Sequence, residues 1–80
     1  MVSYQKRIRD LREDRDITQK SIATALGITQ KGYSRYETGF NELPLRHLIT
    51  LCKLYDVSAD YILGFTNEPT PLPKPKKNKP

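Results

Sequence analysis

The chain has 80 residues, of which 36% are hydrophobic and 29% charged, with a formal charge of +5 and a single cysteine. That size supports one small domain with a modest core. It excludes an internal disulfide, and no apolar run approaches the ~20 residues that a bilayer span needs, so no membrane association is expected. One histidine and one cysteine offer too few ligands for a zinc site, and no metal or cofactor is expected. Met1 to Arg15 mixes apolar with charged residues and lacks the apolar stretch of a secretion signal. These features predict a cytoplasmic domain that folds on packing alone.

The charge is unevenly placed. Residues 66–80 carry Lys74, Lys76, Lys77 and Lys79 against Glu68, whereas residues 1–65 carry ten Lys or Arg against eight Asp or Glu. The expected folded part is therefore only mildly basic, and net charge is weak support for a nucleic-acid partner. Position says more. From Gln19 to Arg35 there are Lys20, Lys31 and Arg35 and no acidic residue.

In chain order, Tyr4, Ile8 and Leu11 share one helical face, and Ser3 can cap its start. Thr18 is the expected cap of a second helix, Gln19 to Leu26, with Ile22, Ala23 and Leu26 inward. Gly27 stops it, because glycine tolerates the left-handed conformation of a tight turn. Thr29 caps a third helix, with Tyr33 and Tyr36 inward and an end at Gly39. Pro44 suits the start of a fourth, whose apolar stripe is Leu45, Leu48, Leu51, Cys52 and Tyr55. His47 falls off that stripe and is expected at the surface, whereas Cys52 reads as a small buried hydrophobe. Ser58 caps a short fifth helix that stops at Gly64. No segment alternates with period two, so no sheet is expected. Five of the six prolines lie at positions 69, 71, 73, 75 and 80. The expected organisation is a helical domain over 1–65 and an extended, flexible Pro/Lys-rich tail over 66–80.

Between Gln19 and Gly39 the spacing is restrictive. Ala23 is small where two helices would cross, Gly27 sits at the turn, and Ile22, Leu26, Ile28, Tyr33 and Tyr36 occupy inward positions. Gln30, Lys31, Ser34 and Arg35 form a polar, basic outer face on the second member. That is the pattern of a DNA-reading helix-turn-helix. The runs Leu26-Gly27-Ile28-Thr29-Gln30, Ser34-Arg35-Tyr36-Glu37 and Val57-Ser58-Ala59-Asp60-Tyr61-Ile62-Leu63-Gly64 resemble the phage-repressor and Cro-like helix-turn-helix family, also called the XRE family. The resemblance covers about residues 4–65.

It implies an all-α, compact five-helix bundle of the lambda-repressor-like type, with the third helix in the major groove of a double-stranded DNA operator. Chemistry then suggests roles. Gln30 suits a bidentate pair with adenine, Lys31 and Arg35 suit guanine N7 and O6, and Ser34 suits a base edge or a phosphate. The resemblance implies a phosphate contact for Gln19, where free N–H groups at a helix start also favour an anion. Lys20 and Thr29 are placed with it. Phe40 and Glu42 stand where such relatives often carry basic residues, which argues against a strong phosphate contact from that loop. Gly32 is a weak helix former, readable as tolerance in a first turn or as close approach of backbone to a base.

The resemblance also implies a partly buried Arg12–Glu37 pair and a homodimer on DNA with half-sites about one helical turn apart. The fifth helix, with Tyr61, Ile62 and Phe65, is the expected dimer surface. The expected function is a sequence-specific transcriptional regulator of the repressor kind. The rival is an interaction module that neutralises a partner protein, as antitoxins do, and autoregulates through DNA. No enzyme is expected, for want of paired carboxylates, a complete Ser-His-Asp set or a phosphate-cradling glycine loop.

Overall fold

Five helices follow one another with short connections: α1 (Tyr4–Asp14), α2 (Gln19–Leu26), α3 (Gln30–Thr38), α4 (Leu45–Tyr55) and α5 (Ala59–Leu63). The computed structural model describes residues 2–71, and no strand occurs among them. Lys74, Lys76, Lys77 and Lys79, read above as part of a basic tail, lie outside the described residues.

The helix starts lie where side-chain chemistry puts them. Ser3, Thr18, Thr29 and Ser58 each turn a hydroxyl oxygen back to accept from the N–H of Lys6, Ser21, Gly32 and Tyr61, respectively. Each satisfies one of the donors that a helix start leaves unpaired, an effect of about 1 kcal/mol per cap. Pro44 stands just outside α4 as its cap, with φ −64° and no side-chain hydrogen bond. The exits are equally regular. A residue in the left-handed region follows every helix: Asp16, Gly27, Gly39, Asp56 and Gly64. After α2, Gly27 has φ 73°, its N–H donates to the Thr24 carbonyl, and the Ile28 N–H donates to that of Ala23. This closure reverses the chain within the three residues that separate α2 from α3.

The core is made by Ile8 and Leu11 of α1, Ile22 and Ala23 of α2, Tyr33 of α3, Leu48, Leu51 and Tyr55 of α4, Val57, and Ile62 of α5. Full burial of each large aliphatic side chain contributes about 2 kcal/mol. α2 and α3 are the most closely associated pair of helices, and the small Ala23 of α2 is buried. α3 also packs on α1, and α5 packs on both α1 and α4. Cys52 is half-buried, and burial pushes its thiol up, so it stays protonated and inert.

Two expectations need correction. His47 is buried, with 5% exposure, and Leu45 lies at the surface, with 69%. The inward face of α4 is His47, Leu48, Leu51 and Tyr55, because its first turn meets α3, where the His47 ring packs against Tyr36 at a 50° tilt with centroids 5.9 Å apart. Ile62, placed above on a dimer surface, has no exposure and is a core residue. Phe65 is exposed, with 68% of its surface in solvent.

The chain directly after α5 makes contacts with the helices. Arg7 is buried, and its guanidinium donates to the Thr66 carbonyl and to Asn67 Oδ1 while lying 3.9 Å from the centre of the Tyr61 ring. Two residues on, the Pro69 carbonyl accepts from the Ser58 N–H. The cation is thus held by a ring, a carbonyl and an amide oxygen in place of a carboxylate.

Candidate nucleic-acid interface

α3 has two sides. Its inward side is Tyr33, Tyr36 and Glu37, and Tyr33 has no exposure. The 100° step of a helix then sends Lys31, Arg35 and Thr38 away from the core, with Gln30 and Ser34 beside them. Gln30, Lys31 and Thr38 are exposed, and Ser34 and Arg35 half-exposed. The sequence-predicted reading residues therefore share one accessible face. Thr38 belongs to it as well and was missed; its spacing from Lys31 and Ser34 is the signal that could have found it.

Gln30 opens α3, and Gln19 and Lys20 open α2. The Thr29 hydroxyl accepts from the Gly32 N–H at 3.0 Å, which leaves its own hydrogen available to a further acceptor. The same contact gives Gly32 a local reason. A Cβ there would meet Thr29 Oγ1 at 3.2 Å and crowd the cap.

Behind this face lies a buried polar network. Arg12 donates to both oxygens of Glu37, from Nε at 2.7 Å and Nη2 at 3.1 Å, and its Nη1 donates to the Ile17 carbonyl at 2.9 Å. Gln19 Nε2 also donates to Glu37, at 3.0 Å. The pair implied by the resemblance is thus present and draws in Gln19. One carboxylate ties α1 to the start of α2 and the end of α3. Burial pushes the Glu37 carboxyl up, but the hydrogen bonds it accepts and the Arg12 charge outweigh this and hold it below its ordinary value. The Tyr33 hydroxyl, buried nearby without a hydrogen-bond partner, is pushed up by burial and by the Glu37 charge.

The network shapes the electrostatics of the outer face. Glu37 is the one acidic residue between Asp16 and Glu42, and its side chain is only 4% exposed. On α1 the basic residues Lys6, Arg9 and Arg12 are paired with Asp10, Glu13 and Glu37. Among the described residues, no carboxylate pairs with Lys20, Lys31 or Arg35. The outer face of α3 and the start of α2 thus carry uncompensated positive charge, although the domain as a whole is nearly balanced. Phe40 completes the surroundings. It is 73% exposed in the loop after α3, with its ring centre 5.2 Å from the Arg35 guanidinium carbon.

Comparison with known proteins agrees with this geometry. A family model described as helix-turn-helix matches residues 8–62. An uncharacterised HTH-type transcriptional regulator of Bacillus subtilis strain 168, YobD, is 41% identical over 76 residues, covering 95% of this chain and 68% of its own length. The HTH-type transcriptional regulator ImmR of the same organism is 36% identical over 63 residues, covering 79% of this chain and 50% of its own. The chain therefore spans between half and about two thirds of these relatives. Among solved structures, the P22 c2 repressor in complex with synthetic operator 9T superposes with a TM-score of 0.71 at 27% identity, covering 79% of this chain and 96% of that one.

Proposed function

Because the chain belongs to the helix-turn-helix family, we propose that it is a DNA-binding transcriptional regulator that reads a double-stranded operator with α3 and acts as a repressor. The observation that carries this reading is that Lys20, Lys31 and Arg35 form no ion pair among the described residues, while Glu37, the acidic residue of α3, is buried against Arg12. Such an arrangement attracts a polyanion.

Each side chain then has a defined task. Gln30 pairs with an adenine edge, and Lys31 and Arg35 with guanine N7 and O6, each good bidentate pair contributing about 1–3 kcal/mol of discrimination. Ser34 contacts a base edge or a neighbouring phosphate. Lys20 and Thr29 bind phosphates, as does Gln19. The Gln19 amide spends one N–H on Glu37, which orients it and leaves its second N–H for a phosphate oxygen. These contacts set the register in which α3 meets the bases. One α3 reads only a few base pairs, so two copies on half-sites about one helical turn apart supply the affinity a regulator needs. A protein with this task acts in the cytoplasm, where the operator is.

Fluorescence anisotropy with duplex from upstream of the protein's own gene, against scrambled duplex at two salt concentrations, tests the reading. The native chain prefers the upstream duplex. Gln30→Ala and Arg35→Ala each lose about 5- to 100-fold of that preference. Lys20→Ala weakens binding to both duplexes alike and reduces the salt slope by about 1. Equal binding of all duplexes, abolished by salt and indifferent to the α3 substitutions, overturns the proposal.

A further inference from the structure

We propose that Phe40 is a positioning residue for Arg35, holding its guanidinium in the orientation that reads a guanine. The inference rests on the assignment of Arg35 to base reading and adds a residue outside α3 to the specificity apparatus.

Phe40 keeps 73% of its surface in solvent, so what it touches within the domain is confined to a few neighbours. Here its ring faces the Arg35 guanidinium at 5.2 Å, within the range of cation–π attraction. The geometry is fixed from the backbone. Gly39 takes φ 83°, a left-handed conformation that turns the chain back along α3. The Asn41 N–H then donates to the Arg35 carbonyl at 3.1 Å, and Thr38 Oγ1 donates to the same carbonyl at 3.3 Å. The residues on either side of Phe40, Gly39 and Asn41, are thereby tied to α3 carbonyls, which brings the ring beside the Arg35 guanidinium. Arg35 has no carboxylate partner among the described residues, so the ring is its charge-complementary neighbour within the domain.

The chemistry suits reading. Ring stacking engages the face of a guanidinium and leaves its N–H edge free, and that edge is what pairs with guanine N7 and O6. A carboxylate partner would occupy the same edge and compete with the base. Free in solvent, a long arginine side chain samples many rotamers that binding must suppress. Stacking removes part of that cost before DNA arrives. The aromatic side chain in a loop position expected to favour a basic one thus exchanges a phosphate contact for a better-directed arginine.

The test uses the 80-residue chain and sites it selects from a random duplex library. Arg35→Ala first identifies the base pairs that Arg35 discriminates. Phe40→Ala and Phe40→Leu then lose roughly 2- to 5-fold of the preference at those base pairs and not at others, while Phe40→Tyr, which keeps the ring, retains it. In the Arg35→Ala background, Phe40→Ala has no further effect at those positions. Unchanged melting temperatures confirm that the fold is intact. If Phe40→Leu keeps the native preference, or if Phe40→Ala weakens binding equally on every duplex, this inference is overturned while the reading by α3 stands. A native chain that selects no sequence overturns the reading by α3, and this inference with it.

Discussion

Arg12 and Glu37, 25 residues apart in the chain, are joined by two hydrogen bonds of 2.7 and 3.1 Å, with side-chain exposures of 13% and 4%. Ion pairs so placed are weak contributors in themselves, since burial costs nearly what attraction returns, but removing one partner strands the other. Glu37→Gln is therefore expected to destabilise the domain by about 3 kcal/mol in urea unfolding. It also frees Gln19 and loosens α2 against α3, so binding to a selected duplex weakens even under conditions where the variant is fully folded. A stability loss below about 1 kcal/mol would show that the pair behaves like an exposed one.

His47 gives the fold a dependence on pH. Burial lowers its affinity for a proton, and the neighbouring Arg46 charge adds to this. A histidine whose folded value is depressed stabilises the fold above its unfolded value near 6.5 and loses that contribution as pH falls. Glu37, also depressed, adds a second loss at lower pH, below the ordinary carboxyl value of 4.5. Unfolding free energy measured from pH 7.5 to about pH 5 should decline in the native protein. In His47→Leu that decline should be absent, while the lower-pH loss persists. A native protein equally stable across the higher window would contradict the burial of this ring.

Asp56 ends α4 with φ 56°, a conformation that costs most side chains about 1 kcal/mol or more. Its negative charge also stands at the negative end of the helix. Asp56→Gly relieves both and should raise stability by about 0.5–1 kcal/mol, read as a higher melting temperature with DNA binding unchanged.

Arg7 should behave as a fastener. Arg7→Met removes the cation from the Tyr61 ring and the donors from Thr66 and Asn67. A stability loss of about 1–2 kcal/mol is expected. The sharper readout is hydrogen exchange at the Ser58 amide, whose acceptor is the Pro69 carbonyl. Its protection should fall more than that of α3 amides. Equal changes in both would reduce Arg7 to ordinary packing.

Much of this architecture was legible in the chain. Hydroxyl caps at 3, 18, 29 and 58 and glycines at 27, 39 and 64 punctuate the helices by local chemistry alone, and local chemistry is what a sequence displays. The accessible polar face of α3 followed from periodicity, and the Arg12–Glu37 pair from the family resemblance. The misreadings share a cause. Periodicity defines the stripe of α4 but not its centre, which depends on how Pro44 and α3 rotate the first turn, so Leu45 and His47 were exchanged. Arg7 finds its partners 54 to 60 residues downstream, and nothing near it in the chain announces them. Ile62 and Phe65 look alike in hydropathy, and only the packing of α5 on α1 and α4 separates them.

The two-sidedness of α3 has a consequence for how such a protein changes over generations. Tyr33, Tyr36 and Glu37 are tied to the core, whereas Gln30, Lys31, Ser34 and Arg35 are not. Substitution at the outer positions leaves the buried interior untouched, so a lineage is free to drift toward a new DNA target without first solving a new folding problem. If Phe40 steers Arg35, part of that freedom extends to the loop, where a single exchange between ring and charge retunes one contact and leaves the helix as it was.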